Sequence, residues 1–231
     1  MHSLRRRLLR LVGWALKAAL ALTLFALVWI ALYRIVNPPI TFLMLRDAVQ
    51  GRHVERTWRP LAQISPNLPR AVIAAEDARF CAHHGFDLSA IEAAAARNAA
   101  GGRLRGGSTI SQQTAKNVFL WPGRSWVRKG LEAAFTVGIE ALWGKRRIME
   151  VYLNVVEQGR GVYGGEAGAL NAFGHSAAHL TPLEASRLAA ILPQPIKRSA
   201  AAPSRTTRRY AGRIDRRIAT VREDALDACI R

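Results

Sequence analysis

The sequence is poor in cysteine and in acidic residues. Its 231 residues include only Cys81 and Cys229, with no CxxC pair and no Cys/His spacing typical of a zinc site. Two cysteines do not make a disulfide framework, and the sequence leaves open whether they pair. Only 16 Asp and Glu stand against 34 Lys and Arg, which gives a net charge of +18. This excess indicates an anionic partner: nucleic acid, anionic lipid or a phosphorylated substrate.

The first 36 residues contain no acidic side chain at all. Residues 1–17 are basic, and residues 18–36 contain an uncharged apolar run flanked by Lys17 and Arg34. With these flanks the run reaches the roughly 20 residues that span a bilayer, and no small-residue cleavage site follows it. The sequence therefore predicts an uncleaved single-pass signal anchor with segment 1–17 in the cytoplasm. A domain outside the cytoplasm disfavours nucleic acid as the partner.

Beyond Pro38 the alternating pattern of β-strands is missing, and Ala-rich segments with a helical period dominate. We predict a linker or membrane-proximal segment at 37–66, followed by one compact all-α domain at 67–231. Glycine-rich loops interrupt it at 101–107 and 159–165. The predicted helices are 67–82, 87–100, 108–118, 125–143, 145–158, 165–173, 181–191 and 206–224. Helix 145–158 is apolar nearly all round, so it is expected to be central.

Two of these helices have one-sided patterns. In helix 125–143, six residues form one apolar stripe with Glu132 beside it: Val127, Leu131, Ala134, Phe135, Gly138 and Leu142. Helix 206–224 has one apolar face and carries many arginines elsewhere. These arginines form either a solvated basic face or a contact for anionic lipid headgroups.

Glu76 is the candidate general base. Glu76 and Asp77 are neighbours, so on a helix their side chains point about 100° apart and do not enter one site together. Phe80 lies one turn beyond Glu76 and, on a helix, presents apolar surface to it. Desolvation by such a surface raises the pKa of a carboxyl toward that of a useful base. The nearby His83 is predicted to be a structural hydrogen bonder, and Cys81 a small core residue.

Polar and cationic side chains follow in the next segments. Segment 106–117, GGSTISQQTAKN, suits a polyhydroxylated or phosphorylated ligand through Ser108, Thr109, Gln112, Gln113, Lys116 and Asn117. Arg124 follows a Pro-Gly turn, and Arg128 and Lys129 open the next helix. Cations at a helix N-terminus oppose the helix dipole, so a bound anion explains them better than stability does. Arg128 and Glu132 have the i,i+4 spacing of an ion pair.

Four short motifs occur in a fixed order along the domain: EDARFCAHHG, GGSTISQQTAKN, RKGLE and KRRIMEVYLN. They resemble E-D-x-x-F-x-x-H-x-G, G-x-S-T-x-x-Q-Q-x-x-K-N, R-K-x-x-E and K-x-x-I-x-E-x-Y-L-N, the signature of glycosyltransferase family 51, the peptidoglycan glycosyltransferases. The resemblance covers about residues 72–175. The S-x-x-K and K-T-G motifs of a penicillin-binding domain do not occur. The chain therefore resembles the monofunctional biosynthetic members.

The resemblance implies a lysozyme-like, two-lobed helical domain with a partly membrane-embedded jaw. It implies that Glu76 takes the proton from the 4-hydroxyl of the acceptor sugar and that Glu132 stabilises the leaving group. Lys116 and Arg124 match residues that hold the donor pyrophosphate. The substrate cleft is expected to contain Ser108, Thr109, Gln112, Gln113, Asn117, Arg128 and Lys129. Structural roles in the motifs fall to Asp77, Phe80, His83, Gly85, Gly107, Glu150 and Asn154.

The family also implies the setting of the reaction. The substrates are lipid II and nascent glycan strands, and no organic cofactor is expected. The sequence contains no metal site of its own, although Mg²⁺ or Mn²⁺ often assists at the pyrophosphate. The expected location is the bacterial cytoplasmic membrane with the catalytic domain on the periplasmic side. Other cell-wall synthesis or division proteins are candidate partners, and nucleic acid is not.

Two other functions remain to be weighed. A lytic transglycosylase or lysozyme-type hydrolase also uses a glutamate in a helical fold, but it cleaves an uncharged bond and has no reason to gather cations. A catalytically silent, membrane-anchored scaffold would explain the basic charge. It would not explain two intact glutamates in their motifs.

Overall fold

A computed structural model describes residues 2–99, 101, 107–123 and 125–231, with side chains placed for all of these except 2–6, 8 and 98. The chain forms two compact units, Met1–Asn37 and Pro38–Arg231. We describe each unit by itself.

The first unit is a single long helix, α1, His2–Ile35. Its segment Leu9–Ile35 has 27 residues and a mean hydropathy of 2.2, which is long and apolar enough to cross a membrane. At 1.5 Å per residue this segment is about 40 Å long. Large apolar side chains such as Trp14, Leu22 and Phe25 are exposed all along it. The helix is therefore compatible with a single-pass membrane anchor, and it begins earlier than the predicted segment 18–36.

The second unit is built mainly from helices. Its described helices are α2 Phe42–Val49, α3 Asn67–Glu76, α4 Leu88–Ala99, α5 Ile110–Phe119, α6 Trp126–Leu142, α7 Lys145–Val155, α8 Gly164–Phe173, α9 Pro182–Ile191 and α10 Arg205–Glu223. Short 3-10 turns lie at Leu61–Gln63, Ala177–His179 and Ala228–Ile230. The all-α class predicted from the sequence is confirmed. Helix α2 lies within the segment that was predicted to be a linker.

Three short strands form a small sheet that the sequence did not predict. They are β1 Glu55–Arg56, β2 Glu157–Gly159 and β3 Val162–Tyr163, in the order β1-β3-β2. Strand β3 is parallel to β1 and antiparallel to β2. The helix predicted at 145–158 therefore ends at Val155. At the turn, Gly161 has a φ of +76°, and a Cβ there would lie 2.2 Å from the carbonyl oxygen of His53, so only glycine fits.

Helix α7 lies at the centre of the core, as its apolar pattern predicts. Ile148, Met149, Tyr152 and Leu153 on this helix are almost completely buried. Helices α5 and α8 pack against α7, and a second layer consists of α3, α9 and α10 in mutual contact. The core therefore holds α3 and α5, which carry the first two motifs, on rigid supports.

Helix α3 is shorter than predicted, because it ends at Glu76 and not at residue 82. Asp77 is extended, with a φ of −158°, and turns follow it. The expectation that Phe80 shares a helix face with Glu76 was therefore wrong. The helix stops because the carboxylate of Asp77 bonds to the start of α5 and to His83 instead of continuing along the helix surface.

Half of the predicted apolar stripe of α6 faces outward, whereas Phe135 stacks on Phe119 of α5 with ring centroids 4.6 Å apart. Val127, Leu131 and Ala134 are exposed, and the helix buries Arg128 and Glu132 instead, together with Thr136 and Ile139. Periodicity identifies which residues share a face, but it does not say which face meets the core. Here an ion-pair cluster occupies the inner face, and an apolar surface is left outside.

The two cysteines are joined. Cys81 and Cys229 form a disulfide with a Cα–Cα distance of 5.5 Å, across 148 residues of sequence. Cys81, which was predicted to be a small core residue, is half-buried, and its pairing, left open by the sequence, is with Cys229. The bond attaches the C-terminal turn near the end of α3, where Asp227 also accepts a hydrogen bond from Arg70 at 2.8 Å. The spacing of the two cysteines gave no sequence signal for this pairing.

Candidate active site

A cavity of about 340 Å³ opens beside the C-terminal end of α3. Glu76 and Asp77 line one side, Asp87 and Ser89 at the start of α4 line another, and segment 107–109 before α5 closes it. The cavity therefore brings the first motif and the start of the second together around one carboxyl group.

Glu76 is half-buried, and its carboxyl is held by few contacts. Its Oε2 accepts a hydrogen bond of 3.0 Å from Nε2 of Gln113. The oxygen Oε1 of Gln113 accepts a hydrogen bond of 3.1 Å from the hydroxyl of Tyr152, so the amide is fixed with its nitrogen toward Glu76. Burial raises the pKa of Glu76, and the bond from Gln113 offsets only part of this. Such a carboxyl has the basicity that a proton acceptor needs.

Asp77 serves as a structural junction. Its Oδ2 accepts a hydrogen bond of 3.0 Å from the backbone nitrogen of Ile110, the first residue of α5. Both carboxylate oxygens lie 3.0 Å from Nε2 of His83. The Nδ1 atom of His83 accepts from the backbone nitrogen of Gly85, which assigns the ring proton to Nε2. The end of α3 is thereby fixed to the beginning of α5.

Other residues of the motifs are also held by packing. Phe80 is fully buried, and the ammonium of Lys145 lies 4.6 Å from its ring centroid. Gly85 has a φ of +94°, and a Cβ there would lie 2.8 Å from a methyl carbon of Thr136. A Cβ at Gly107 would lie 3.2 Å from the backbone of α4. These contacts explain why bulkier residues do not fit at the two glycines.

Glu150 and Asn154 fasten the segment that precedes α3. Glu150 accepts a hydrogen bond of 2.9 Å from the backbone nitrogen of Leu61. Asn154 bonds both the nitrogen and the oxygen of the Arg59 backbone, at 2.7 Å and 2.8 Å. The fourth motif thus secures the chain leading to α3 and has no side chain in the cavity.

The second motif divides between capping and the cavity. Thr109 and Gln112 form a capping box at the start of α5, and the Thr109 hydroxyl also donates to the carbonyl of Gly85 at 2.6 Å. Ser108 is exposed and lines the cavity beside Thr109. Asn117 is half-buried further along the helix. Roles of these residues in substrate binding stay predictions.

Lys116 lies one turn beyond Gln113 on the same side of α5. Its half-buried ammonium has no hydrogen-bond or ion-pair partner among the described residues. Burial lowers the pKa of Lys116, and the negative charge of Glu132 offsets part of that effect. The charge of Lys116 also reaches Glu76. Helix α5 therefore places one available cation between the two acidic residues.

Glu132 is held by two cations. It is 3% exposed, its Oε2 lies 2.7 Å from Nη1 of Arg128, and its Oε1 accepts a hydrogen bond from Nζ of Lys129. The hydroxyl of Ser125 caps α6 by accepting from the backbone nitrogen of Arg128. The third motif therefore places two cations around one buried carboxylate, with a net charge of +1, close enough to act electrostatically on Lys116.

Arg124, the predicted second pyrophosphate residue, lies outside the described residues. The sequence analysis also missed three residues near the site. Tyr152 orients Gln113, as described above, and the charge of Arg198 reaches Glu76. Glu157 is half-buried, its Oε1 has no hydrogen-bond partner in the described part of the chain, and burial raises its pKa. Tyr152 lies within the fourth motif, which was a usable signal, whereas no pattern marks Arg198.

The described residues contain no group of three His, Cys, Asp or Glu side chains placed to hold a metal ion. Near Glu76, Asp77 and Asp87 already accept hydrogen bonds from protein groups. The divalent cation that the resemblance implies therefore has no ready set of protein ligands among these residues.

The arrangement combines a basic carboxyl in an open cavity with an unpaired ammonium nearby. A hydroxyl group bound beside Glu76 can lose its proton, and an anionic leaving group can be stabilised by Lys116. This combination suits the transfer of a group away from a phosphate.

Comparison with known proteins agrees with this chemistry. Residues 44–221 match the family described as Transglycosylase. The chain is 54% identical over 227 residues to a biosynthetic peptidoglycan transglycosylase of Caulobacter vibrioides, with 97% of each chain covered. It is 54% identical over 225 residues to one of Rhodospirillum centenum, covering 97% of this chain and 96% of the relative. The chain therefore belongs to the transglycosylase family, glycosyltransferase family 51, among its monofunctional biosynthetic members.

Proposed function

We propose that the chain is a peptidoglycan glycosyltransferase that polymerises glycan strands from lipid II. The growing strand is the donor, and it is transferred from undecaprenyl pyrophosphate to the 4-hydroxyl of the GlcNAc in lipid II. The observation that carries this proposal is the desolvated carboxyl of Glu76 together with the ammonium of Lys116, which has no partner among the described residues. Lys116 lies on α5, one turn beyond the Gln113 that donates to Glu76. The family and its relatives support the same reaction.

In the proposed step, the ionised Glu76 accepts the proton of the 4-hydroxyl. The hydroxyl oxygen attacks the anomeric carbon of the donor, and the bond from that carbon to the phosphate oxygen breaks. Undecaprenyl pyrophosphate leaves with the electron pair. A single displacement inverts the configuration, so an α-linked donor gives a β-linked strand.

Lys116 stabilises the charge that develops on the pyrophosphate. Its ammonium is partly desolvated, which strengthens its interaction with an anion. Glu132 contributes indirectly, because its two ion pairs hold the cations Arg128 and Lys129 beside Lys116. A hydrolase that cleaves an uncharged glycosidic bond has no use for this collection of cations.

The long helix α1 anchors the enzyme in the bacterial cytoplasmic membrane in this proposal. The four arginines among the first ten residues favour a cytoplasmic N-terminus, with the second unit on the periplasmic side. The exposed arginines of α10 are available for anionic lipid headgroups.

The deciding experiment incubates the purified full chain with lipid II and separates the products by length. We compare the wild type with Glu76→Gln and with Glu92→Gln, the same change at an exposed carboxyl on α4. The wild type and Glu92→Gln should form polymer, and Glu76→Gln should not. Lysis of purified sacculi without any polymer would establish the hydrolase instead. Wild-type-like turnover by Glu76→Gln would remove Glu76 as the base.

A further inference from the structure

A second cavity, of about 140 Å³, lies beside the strand that follows α7. It is enclosed by the β2–β3 hairpin, helices α8 and α9, and segment 195–201. No residue lines both this cavity and the one beside Glu76. Its wall is apolar at Val162, Leu188 and Ile191 and polar at Gln158, Asn171, Arg198 and Ser199. A space of this size is smaller than a typical whole-ligand pocket, so it suits one substituent of a larger molecule.

Gln158 in this wall is buried without a partner. Its side chain is only 7% exposed, and its Oε1 makes no hydrogen bond within the described part of the chain. An unmade hydrogen bond at a buried amide costs about 1–3 kcal/mol, so such groups are normally paired. Gly168 makes room for this side chain, because a Cβ there would lie 2.8 Å from its Cγ. The buried amide therefore offers an acceptor that a bound molecule can satisfy.

Arg198 supplies a fixed donor to the same wall. Its Nη1 donates a 2.7 Å hydrogen bond to the carbonyl oxygen of Ala190 at the end of α9, which restrains the guanidinium. Burial raises the pKa of Glu76, and the charge of Arg198 is close enough to offset part of that rise. The cavity therefore lies within electrostatic reach of the reacting centre, although it is separate from it.

We propose that this cavity binds one small secondary amide that carries a methyl group beside its carbonyl. The amide N–H donates to Oε1 of Gln158, the carbonyl oxygen accepts from Arg198, and the methyl packs against Val162, Leu188 and Ile191. This inference rests on the proposed function for its source, because the substrates of that reaction carry such amides. They occur as the N-acetyl groups of the sugars, and a related amide occurs in the alanyl residues of the stem peptide, where the methyl lies one carbon further from the carbonyl.

The first test uses the wild-type full chain in detergent and three small probes followed by saturation-transfer NMR. Diacetylchitobiose carries the acetamido group on a β-1,4 disaccharide, cellobiose carries hydroxyls there, and N-acetylalanine methylamide carries the amide without a sugar. We expect the strongest transfer at a methyl beside a carbonyl and at least five-fold tighter binding of an amide probe than of cellobiose. Equal binding of cellobiose and both amide probes would overturn the inference. The amide probe that binds more tightly identifies the source as sugar or peptide.

The second test locates the binding. Gln158→Leu removes the amide at similar size, and Gly168→Ala displaces the same side chain by steric contact. Gln63→Leu makes the matched change at an exposed position. We expect both cavity variants to weaken binding of the preferred probe at least five-fold and Gln63→Leu to leave it unchanged. Unchanged binding by folded Gln158→Leu would overturn the assignment, and Gly168→Ala gives the same decision if Gln158→Leu does not fold.

Polymer formation from lipid II is measured on the same preparations. If the wild type forms polymer but the cavity variants bind the probes normally, only this inference fails. If the wild type binds the probes through Gln158 but forms no polymer, the assignment of amide binding to this cavity is supported and the proposed function is wrong.

Discussion

Glu76 and Glu132 are the two acidic residues for which the motifs imply a catalytic role, and their surroundings in the structure are opposite in kind. Glu76 lies at the end of a helix, lines an open cavity and accepts a single side-chain hydrogen bond from a neutral amide. Glu132 lies inside α6 and is paired with both Arg128 and Lys129. Burial therefore disfavours the ionised form of Glu76, whereas the negative charge of Glu132 is offset by two paired cations.

The contrast separates two tasks that an active site has to perform. A proton acceptor needs a carboxyl whose ionised form is not stabilised too strongly, and Glu76 meets that condition. An electrostatic support needs a permanent charge that fixes cations in place, and Glu132 meets that one. Lys116 on α5 interacts electrostatically with both, and among the described residues its ammonium has no hydrogen-bond or ion-pair partner, so it is available for substrate.

The largest expected effect comes from Glu76→Gln. The variant keeps the acceptor for Gln113 but removes the base, so kcat should fall about 10²- to 10⁴-fold in a lipid II polymerisation assay. Its stability should not fall. Because folding raises the pKa of Glu76, the ionised wild-type carboxyl costs stability as the pH rises through that pKa. The unfolding free energy of the variant, relative to wild type, should therefore grow between pH 4 and pH 8. A variant less stable than wild type at pH 8 would contradict this account.

Glu132→Leu should act first on folding. It leaves Arg128 buried without its partner, and breaking such a pair costs about 3–5 kcal/mol of unfolding free energy. Denaturant unfolding in detergent measures this loss. The matched control is the double variant Arg128→Met/Glu132→Leu, which removes both charges and should recover most of the stability but not the activity. If the single variant unfolds like wild type, Glu132 is not the structural anchor that its contacts indicate.

Lys116→Ala should raise the lipid II concentration needed for half-maximal rate by about ten- to hundred-fold. The estimate follows from about 1.5–3 kcal/mol for a hydrogen bond to a charged group. Initial rates over a range of lipid II concentrations test it, with Lys197→Ala as the control at an exposed lysine. An unchanged concentration dependence would remove Lys116 from the pyrophosphate site.

The smallest effect is expected from Gln113→Leu, and it sharpens the description of Glu76. The amide of Gln113 lowers the pKa of Glu76, which burial has raised. Losing it should raise that pKa further, because the ionised carboxylate loses the hydrogen bond that favours it. Because the ionised form is active, the acidic limb of kcat/KM should move to higher pH. A limb that stays in place or moves to lower pH would show that another group governs it.

Much of the fold could be predicted from periodicity. Helix α7 is apolar on nearly every side and is the centre of the core. Its end could not be predicted, because Glu157 and Gln158 continue the helical pattern until the glycines of the hairpin pair them with β3. Which face of α6 is exposed could not be predicted from the sequence either. A sequence shows that Arg128 and Glu132 share a face, but not that their mutual pairing lets that face turn inward.

The sequence predicted individual residues of the candidate site but not the contacts that hold them together. Glu76, Gln113 and Lys116 were named from the motifs, and the structure brings them together through α3 and α5. The ties that hold these helices run through Asp77 and His83, whose partners lie up to 33 residues away. The disulfide from Cys81 crosses 148 residues. Such pairings depend on how the chain folds back on itself, which local patterns do not record.

The outward face of α6 has a practical consequence for handling the protein. Val127, Leu131 and Val137 are exposed on this helix, and Trp126 at its start is 91% exposed. Apolar surface of this kind associates with itself or with lipid when it is placed in water. A shortened chain that begins at Pro38 would lose α1 but keep this face. Such a chain will still need detergent or lipid to remain monodisperse during purification.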